Sequence, residues 1–219
     1  MKHILIVYAS PHGSTADIAI FMGRLLQAYD TQVTVLHTDD VESVAPYDAF
    51  ILGSAIHSSM WLPSLSRFMF RFAETLAEKP VFLYLVCIIA LEQGGAERAI
   101  TEFVWQEALD KINIPKNHRQ AFAGRLDWER IAGDEEWIIK GTYKGQQLKE
   151  IASGDYRDWE TIAGWTHKLA SALALSPVTD DAIPTMQGQM KRVTRDETIT
   201  KEGVRQLKWL DNPGEVAPI

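Results

Sequence analysis

Cysteine is nearly absent from this sequence. Cys87 stands alone, which excludes an intrachain disulfide framework and fits a reducing cytoplasm. Long apolar runs are missing too. The longest, Val81 to Leu91, is too short for a membrane-spanning helix, which needs roughly 20 residues. Basic residues are outnumbered, leaving a formal charge of -7 over 219 residues, so nucleic acid is not expected as a partner. The first apolar run begins almost at Met1, so no secretory leader is expected, and the chain reads as cytoplasmic, with attachment to a membrane surface left open. Also lacking are the Gly-x-x-x-x-Gly-Lys-Ser/Thr and Gly-x-Gly-x-x-Gly spacings, which argues against a nucleoside-triphosphate site and the usual dinucleotide turn.

With 46% hydrophobic residues the chain can bury a full core. Its organising stretch is Ile4 to Ala19. The run Ile4-Leu5-Ile6-Val7 reads as a buried strand and stops at Ser10-Pro11-His12-Gly13-Ser14-Thr15. Beyond it Thr15, Ile18, Ala19, Met22, Leu25 and Leu26 recur at helical spacing. A loop between strand and helix aims backbone N–H groups and the helix's positive end at one spot, and Ser10, Ser14 and Thr15 add hydroxyls around it. That spot suits a phosphate held by hydrogen bonds, since the loop has no lysine. An ordinary turn capped by Ser14 is the alternative.

Further strands are expected at 32–37, 48–53, 81–89 and 120–126, the last interrupted by Gly124. Helices alternate with them: Leu65 to Leu76 entered through Pro63, Ala96 to Leu109, and a last one with Trp159, Ile162, Trp165, Leu169 and Leu173 on its buried face. This alternation predicts an α/β fold, a doubly wound five-stranded parallel sheet in the order 2-1-3-4-5. Ligands bind such sheets beyond the carboxyl ends of the strands beside the switch point. The loops at 10–15 and 54–61 should therefore face one pocket.

In the second loop Gly53, Ser54 and Ala55 permit close backbone approach, Ile56 and His57 follow, and Trp61 offers an aromatic wall; His57 in solvent and Trp61 as lead-in to the next helix are the competing readings. The third loop, after the fourth strand, brings Val86, Cys87, Ile88 and Ala90 to the same border. Cys87 reads more simply as a small buried hydrophobe. No aromatic residue lies between Val86 and Gly95.

The first loop resembles that of flavodoxins, Thr/Ser-x-Thr-Gly-x-Thr, with Ser10, Gly13 and Thr15 matching and His12 standing where a hydroxyl is preferred. Together with YDAFILGSAIHSSMW, FAGRLDW and GDYRDWE, the order of pieces resembles the menaquinone-dependent protoporphyrinogen dehydrogenases over roughly Met1 to Leu175. The resemblance implies a flavodoxin-like domain over 1–175, with an insertion at 127–155 and a C-terminal extension at 176–219. It implies FMN as cofactor and an oxidoreductase that takes electrons from an organic substrate, protoporphyrinogen in that family, and passes them to a quinone. Ser10, His12, Gly13, Ser14 and Thr15 would hold the FMN phosphate, with Ser54, Ala55, Ile56, His57, Trp61, Val86, Cys87, Ile88 and Ala90 flanking the ring. The third loop lacks the aromatic ring that ordinary flavodoxins stack on the flavin, which favours an enzyme over an electron carrier; the carrier, and a binding module that has lost FMN because of His12, stay open. No catalytic side chain and no metal is expected. The extension, with a short helix expected from Lys201 to Leu210, would pack on the domain or on a second copy in a homodimer.

Overall fold

The computed structural model describes residues 1–129, 151–178, 195–199 and 205–209. Five parallel strands form its centre: β1 (Lys2–Ala9), β2 (Thr31–His37), β3 (Ala49–His57), β5 (Val81–Val86) and β6 (Arg119–Phe122). They lie in the order β2-β1-β3-β5-β6, the doubly wound arrangement that the alternating pattern predicts. Registry runs straight across the sheet, with Ile6 beside both Val35 and Ile51, and Leu52 beside Leu83.

Parallel strands covered on both faces need apolar residues at every position rather than every second one. In β1 the side chains of Ile4, Ile6 and Tyr8 enter one core and those of Leu5, Val7 and Ala9 the other. The first core is closed by α1 (Ser14–Leu26) and α6 (Trp159–Ala172), the second by α2 (Pro63–Arg71), α3 (Ala73–Ala77), α4 (Gly95–Glu102) and α5 (Gln106–Ile112). Helix α6 starts where Asp158 accepts the Thr161 N–H at 3.0 Å. It is held by Ile162, Trp165 and Leu169, all buried against α1 and the sheet. Burying each such side chain contributes about 1.5–3 kcal/mol, so a charge placed at the fully buried Ile162 would weaken the attachment of this helix.

Several boundaries differ from the sequence expectation. Strand β3 does not stop at Gly53 but continues to His57, turns through Ser58 and Ser59, and returns as β4 (Met60–Trp61). The fourth parallel strand ends at Val86, and Ile88–Leu91 form a 3-10 turn. The stretch 120–126 divides at Gly124: β6 pairs with β5, while β7 (Arg125–Leu126) pairs antiparallel with β8 (Gly154–Asp155). The helices expected over 65–76 and 96–109 each break in two, at Phe72 and at 103–105; both breaks hold phenylalanines packed against the core, and burial of those rings outweighs helical continuity.

After α6 the chain returns along the α1–β2 connection. The Asp30 N–H donates to Ser176 O at 2.8 Å and the Val178 N–H to Ala28 O at 2.9 Å. Arg195–Ile199 (β9) and Arg205–Trp209 (β10) form an antiparallel pair. The helix expected from Lys201 to Leu210 is thus replaced, over 205–209, by a strand. The alternation of Leu207 and Trp209 with Gln206 and Lys208 is the period-2 pattern that a strand requires. Most of the insertion, 130–150, lies outside the described residues.

Candidate functional site

Helix α1 begins immediately after the carboxyl end of β1. Its first intrahelical bond runs from the Asp17 N–H to Gly13 O at 3.0 Å. The N–H groups of Ser14, Thr15 and Ala16 therefore have no acceptor within the helix. Gly13, the residue before the helix, has φ of 86° and no side-chain cap. A Cβ there would meet nothing within 4 Å, so the helix start opens onto free space. Ser10, Ser14 and Thr15 are buried and His12 and Gly13 half-buried.

Both hydroxyls at the helix start are informative. Ser14 Oγ accepts the Arg125 N–H at 2.9 Å, which ties β7 to the loop and leaves the serine's own proton free to donate. Thr15 Oγ1 is buried with no hydrogen-bond partner among the described residues. Leaving such a group unmatched costs about 1–3 kcal/mol, and an anion set before the helix N-terminus would relieve it. An orphaned hydroxyl, three open amides and clear space at Gly13 together fit a phosphate monoester.

Two features behind the loop fix its position. Tyr84 lies fully buried across the sheet, and its hydroxyl donates to Thr15 O at 3.1 Å. Room for its ring comes from Gly53, where a Cβ would lie 2.0 Å from the ring. Gly53 was expected to admit a ligand, but its missing side chain admits Tyr84. Gly124 plays the same part at the next corner, since a Cβ there would lie 2.8 Å from Val86 Cγ1 and 2.9 Å from Ser14 Oγ. Farther round, Arg157, nearly buried, donates to Asp17 Oδ2 at 2.8 Å and to Asp155, while its guanidinium stacks on Trp159. Hydrogen bonding from Arg157 is the main reason that the Asp155 carboxyl is held below its ordinary value.

The second loop is a β-hairpin. Ser58 and Ser59 both take left-handed φ, 49° and 60°, the values of the tight turns that match strand twist. Glycine or asparagine signals such turns, and their absence hides this one in the sequence. Ser54 Oγ accepts the Leu62 N–H at 2.9 Å and donates to Ala55 O, so its polar atom closes the hairpin. Trp61 is buried in the core with Leu65 and Phe68, its indole N–H donating to Ser66 Oγ at 2.7 Å. Ala55, Ile56 and His57 are half-buried. His57 reaches the first loop, where its ring stacks on that of His12 with centroids 5.8 Å apart and planes at 21°. The two loops thus meet, as the switch point requires.

In the third loop Val86 and Cys87 are buried, Cys87 on the face of the sheet opposite α1, with its N–H donating to Phe122 O at 3.0 Å. Burial pushes the Cys87 thiol up to about 12. Ile88 and Ala90 are half-buried on the 3-10 turn. Gly95 fits that turn because a Cβ would lie 1.7 Å from Ile89 O. Tyr84 and Arg125 are the site-supporting residues that the sequence reading missed. A lone polar-tipped ring inside the apolar run VFLYLV was the available signal for the first; the second had none. Among the described residues no group of three or more His, Cys, Asp or Glu could hold a metal ion, and no helix is long and apolar enough to cross a membrane.

The flavodoxin domain family matches residues 5–149. The chain belongs to this family. Of solved structures, the rubredoxin:oxygen oxidoreductase of Desulfovibrio gigas is similar at 13% identity and a TM-score of 0.50, over 80% of this chain and 36% of that one. The likeness is one of fold, and this chain spans only about a third of that enzyme's length. Flavodoxin 2 of Bacillus cereus is 26% identical over 65% of this chain and 99% of its own, with a TM-score of 0.44. A flavodoxin from the domain Archaea is 13% identical over 78% of this chain and 99% of its own, with a TM-score of 0.45. No curated protein matches the sequence.

Proposed function

We propose that this flavodoxin-domain protein binds FMN and transfers electrons between an organic substrate and a quinone-type acceptor. The observation that carries the reading is the helix start of α1, where open amides, the orphaned Thr15 Oγ1 and the empty space before Gly13 converge without a lysine. Ser10, Gly13, Ser14 and Thr15 would hold the phosphate, and the 55–57 and 87–90 segments would flank the ring. When bound, FMN supplies hydride and single-electron chemistry. The chain's own work is to bind and orient. Tyr84 fixes the Thr15 carbonyl, Arg125 and Gly124 fix Ser14, and Arg157 offsets the Asp17 carboxylate one turn from the phosphate. His12 and His57 stand where the first two loops meet and limit access from that side.

The third loop favours an enzyme over a shielded carrier, since Ile88 to Leu91 offer no ring to cover a flavin face and Leu91 is exposed. Dithionite-reduced, FMN-loaded protein mixed anaerobically with menadione tests this. Reoxidation that saturates with quinone concentration is expected. A rate that rises linearly and equals that of free reduced FMN would refute the quinone reading, while leaving FMN binding to be judged by its own titration.

A further inference from the structure

A second concavity lies on the other side of the β3–β4 hairpin. It has a volume of about 540 Å³ and is lined by Met60, Trp61, Pro63, Arg67, Phe70 and Trp105 among others. That is within the roughly 300–1,000 Å³ of small-molecule sites. Its walls are apolar and aromatic. Trp105 stands edge-on to Phe70 with centroids 5.2 Å apart, and Trp61 presents carbon only, because its N–H is already taken by Ser66. Met60 and Trp105 remain 40% and 41% exposed, whereas Trp61, Phe68 and Met69 nearby are buried.

The cations around the pocket are unequally engaged. Arg71 donates to the carbonyls of Val41 and Glu42, and Lys111 lies over the Phe70 ring at 5.5 Å. Arg67, one turn from each of Pro63 and Phe70 on α2, has no acceptor among the described residues. An uncommitted guanidinium at the rim of an aromatic hollow is complementary to one kind of ligand, with a flat apolar body and an anionic edge.

We propose that this pocket binds a planar aromatic ring carrying a carboxylate or sulfonate, the ring against Trp105 and Phe70 and the anion on Arg67. The site is separate from the phosphate loop, yet Met60 pairs through the backbone with His57, so the two are joined by one hairpin. The proposal does not depend on FMN being bound.

The test uses the full chain saturated with FMN and two fluorescent probes of similar shape, the anionic 1-anilinonaphthalene-8-sulfonate and the neutral N-phenyl-1-naphthylamine. Arg67→Gln should weaken the anionic probe about tenfold, the loss of one charge-assisted contact, and leave the neutral probe within about twofold. Trp105→Ala should weaken both. Both residues are exposed, and an unchanged melting temperature confirms folding. Equal loss of both probes in Arg67→Gln, or no loss of the anionic probe in either variant, would overturn the proposal. So would anionic-probe binding that is present in the FMN-free chain and lost once the chain is loaded with FMN, which would place the probe at the flavin site.

Discussion

Gly53→Ala is a one-carbon change that should reach the phosphate loop through the core. The new Cβ would lie 2.0 Å from the Tyr84 ring and 2.2 Å from its hydroxyl oxygen, well inside the 3.5–4.0 Å or so at which carbons attract. The ring cannot simply step aside, because Phe122 and Trp165 pack beside it, with centroids 6.4 Å away in each case. Overpacking of this kind costs about 1–3 kcal/mol, and displacing the Tyr84 hydroxyl from Thr15 O adds about 1 kcal/mol. A loss of about 2–4 kcal/mol is therefore expected in urea unfolding, a large part of the roughly 5–15 kcal/mol that holds a domain folded. Combining it with Tyr84→Leu should recover much of the loss, since the clash and the Tyr84 substitution are not additive. A cost below about 0.5 kcal/mol for Gly53→Ala, or simple additivity in the double variant, would refute this account of how sheet and loop are joined.

Thr15→Val replaces an orphaned buried hydroxyl by a methyl, and should raise the stability of the FMN-free protein by about 1 kcal/mol while weakening FMN; a melting curve checks the first part. Because burial, with Tyr8 adding to it, raises the Tyr84 phenol well above 10, folded and unfolded chains both keep that proton below pH 10. Above that value only the unfolded chain releases it, so stability should fall by about 1.4 kcal/mol per pH unit from this group, a component that Tyr84→Phe removes from the pH dependence of unfolding. Arg157→Gln leaves the Asp17 carboxylate unpaired and should cost about 2–4 kcal/mol in urea unfolding. It should also reduce acid sensitivity, because the lowered Asp155 carboxyl contributes above its unfolded value and that contribution is lost as pH falls through its folded one. Cys87, buried and with its thiol raised to about 12, should react with a disulfide reagent at pH 8 only as fast as the chain unfolds.

Strand order and the first loop were legible because each rests on local pattern. Ile4 to Val7 followed by a hydroxyl-rich turn and a 3.6-residue apolar period leaves few other structures, and strand–helix alternation with the second strand outside the first gives the doubly wound order. What the sequence concealed depends on contacts between distant residues. Gly53 looks like any strand-ending glycine until Tyr84, a neighbour only across the sheet, is placed over it. The Ser58-Ser59 turn carries residues that rarely take left-handed φ, so the hairpin reads as loop. Arg125 and Gly124 reach Ser14 over a separation that no window of sequence spans. Ser54 and Trp61 bond through their polar atoms to Leu62, Ala55 and Ser66, contacts that only the hairpin's closure reveals.

The proposed FMN site rests on a phosphate held at the α1 helix start. Titrating the purified chain with FMN and with riboflavin, which lacks the phosphate, measures this directly through quenching of flavin fluorescence. Two or more charge-assisted bonds to the phosphate, at about 1.5–3 kcal/mol each, predict FMN binding at least about 100-fold tighter than riboflavin, with Thr15→Val narrowing the gap and leaving riboflavin unchanged. Equal affinity for the two flavins, or no binding of FMN, would contradict the account.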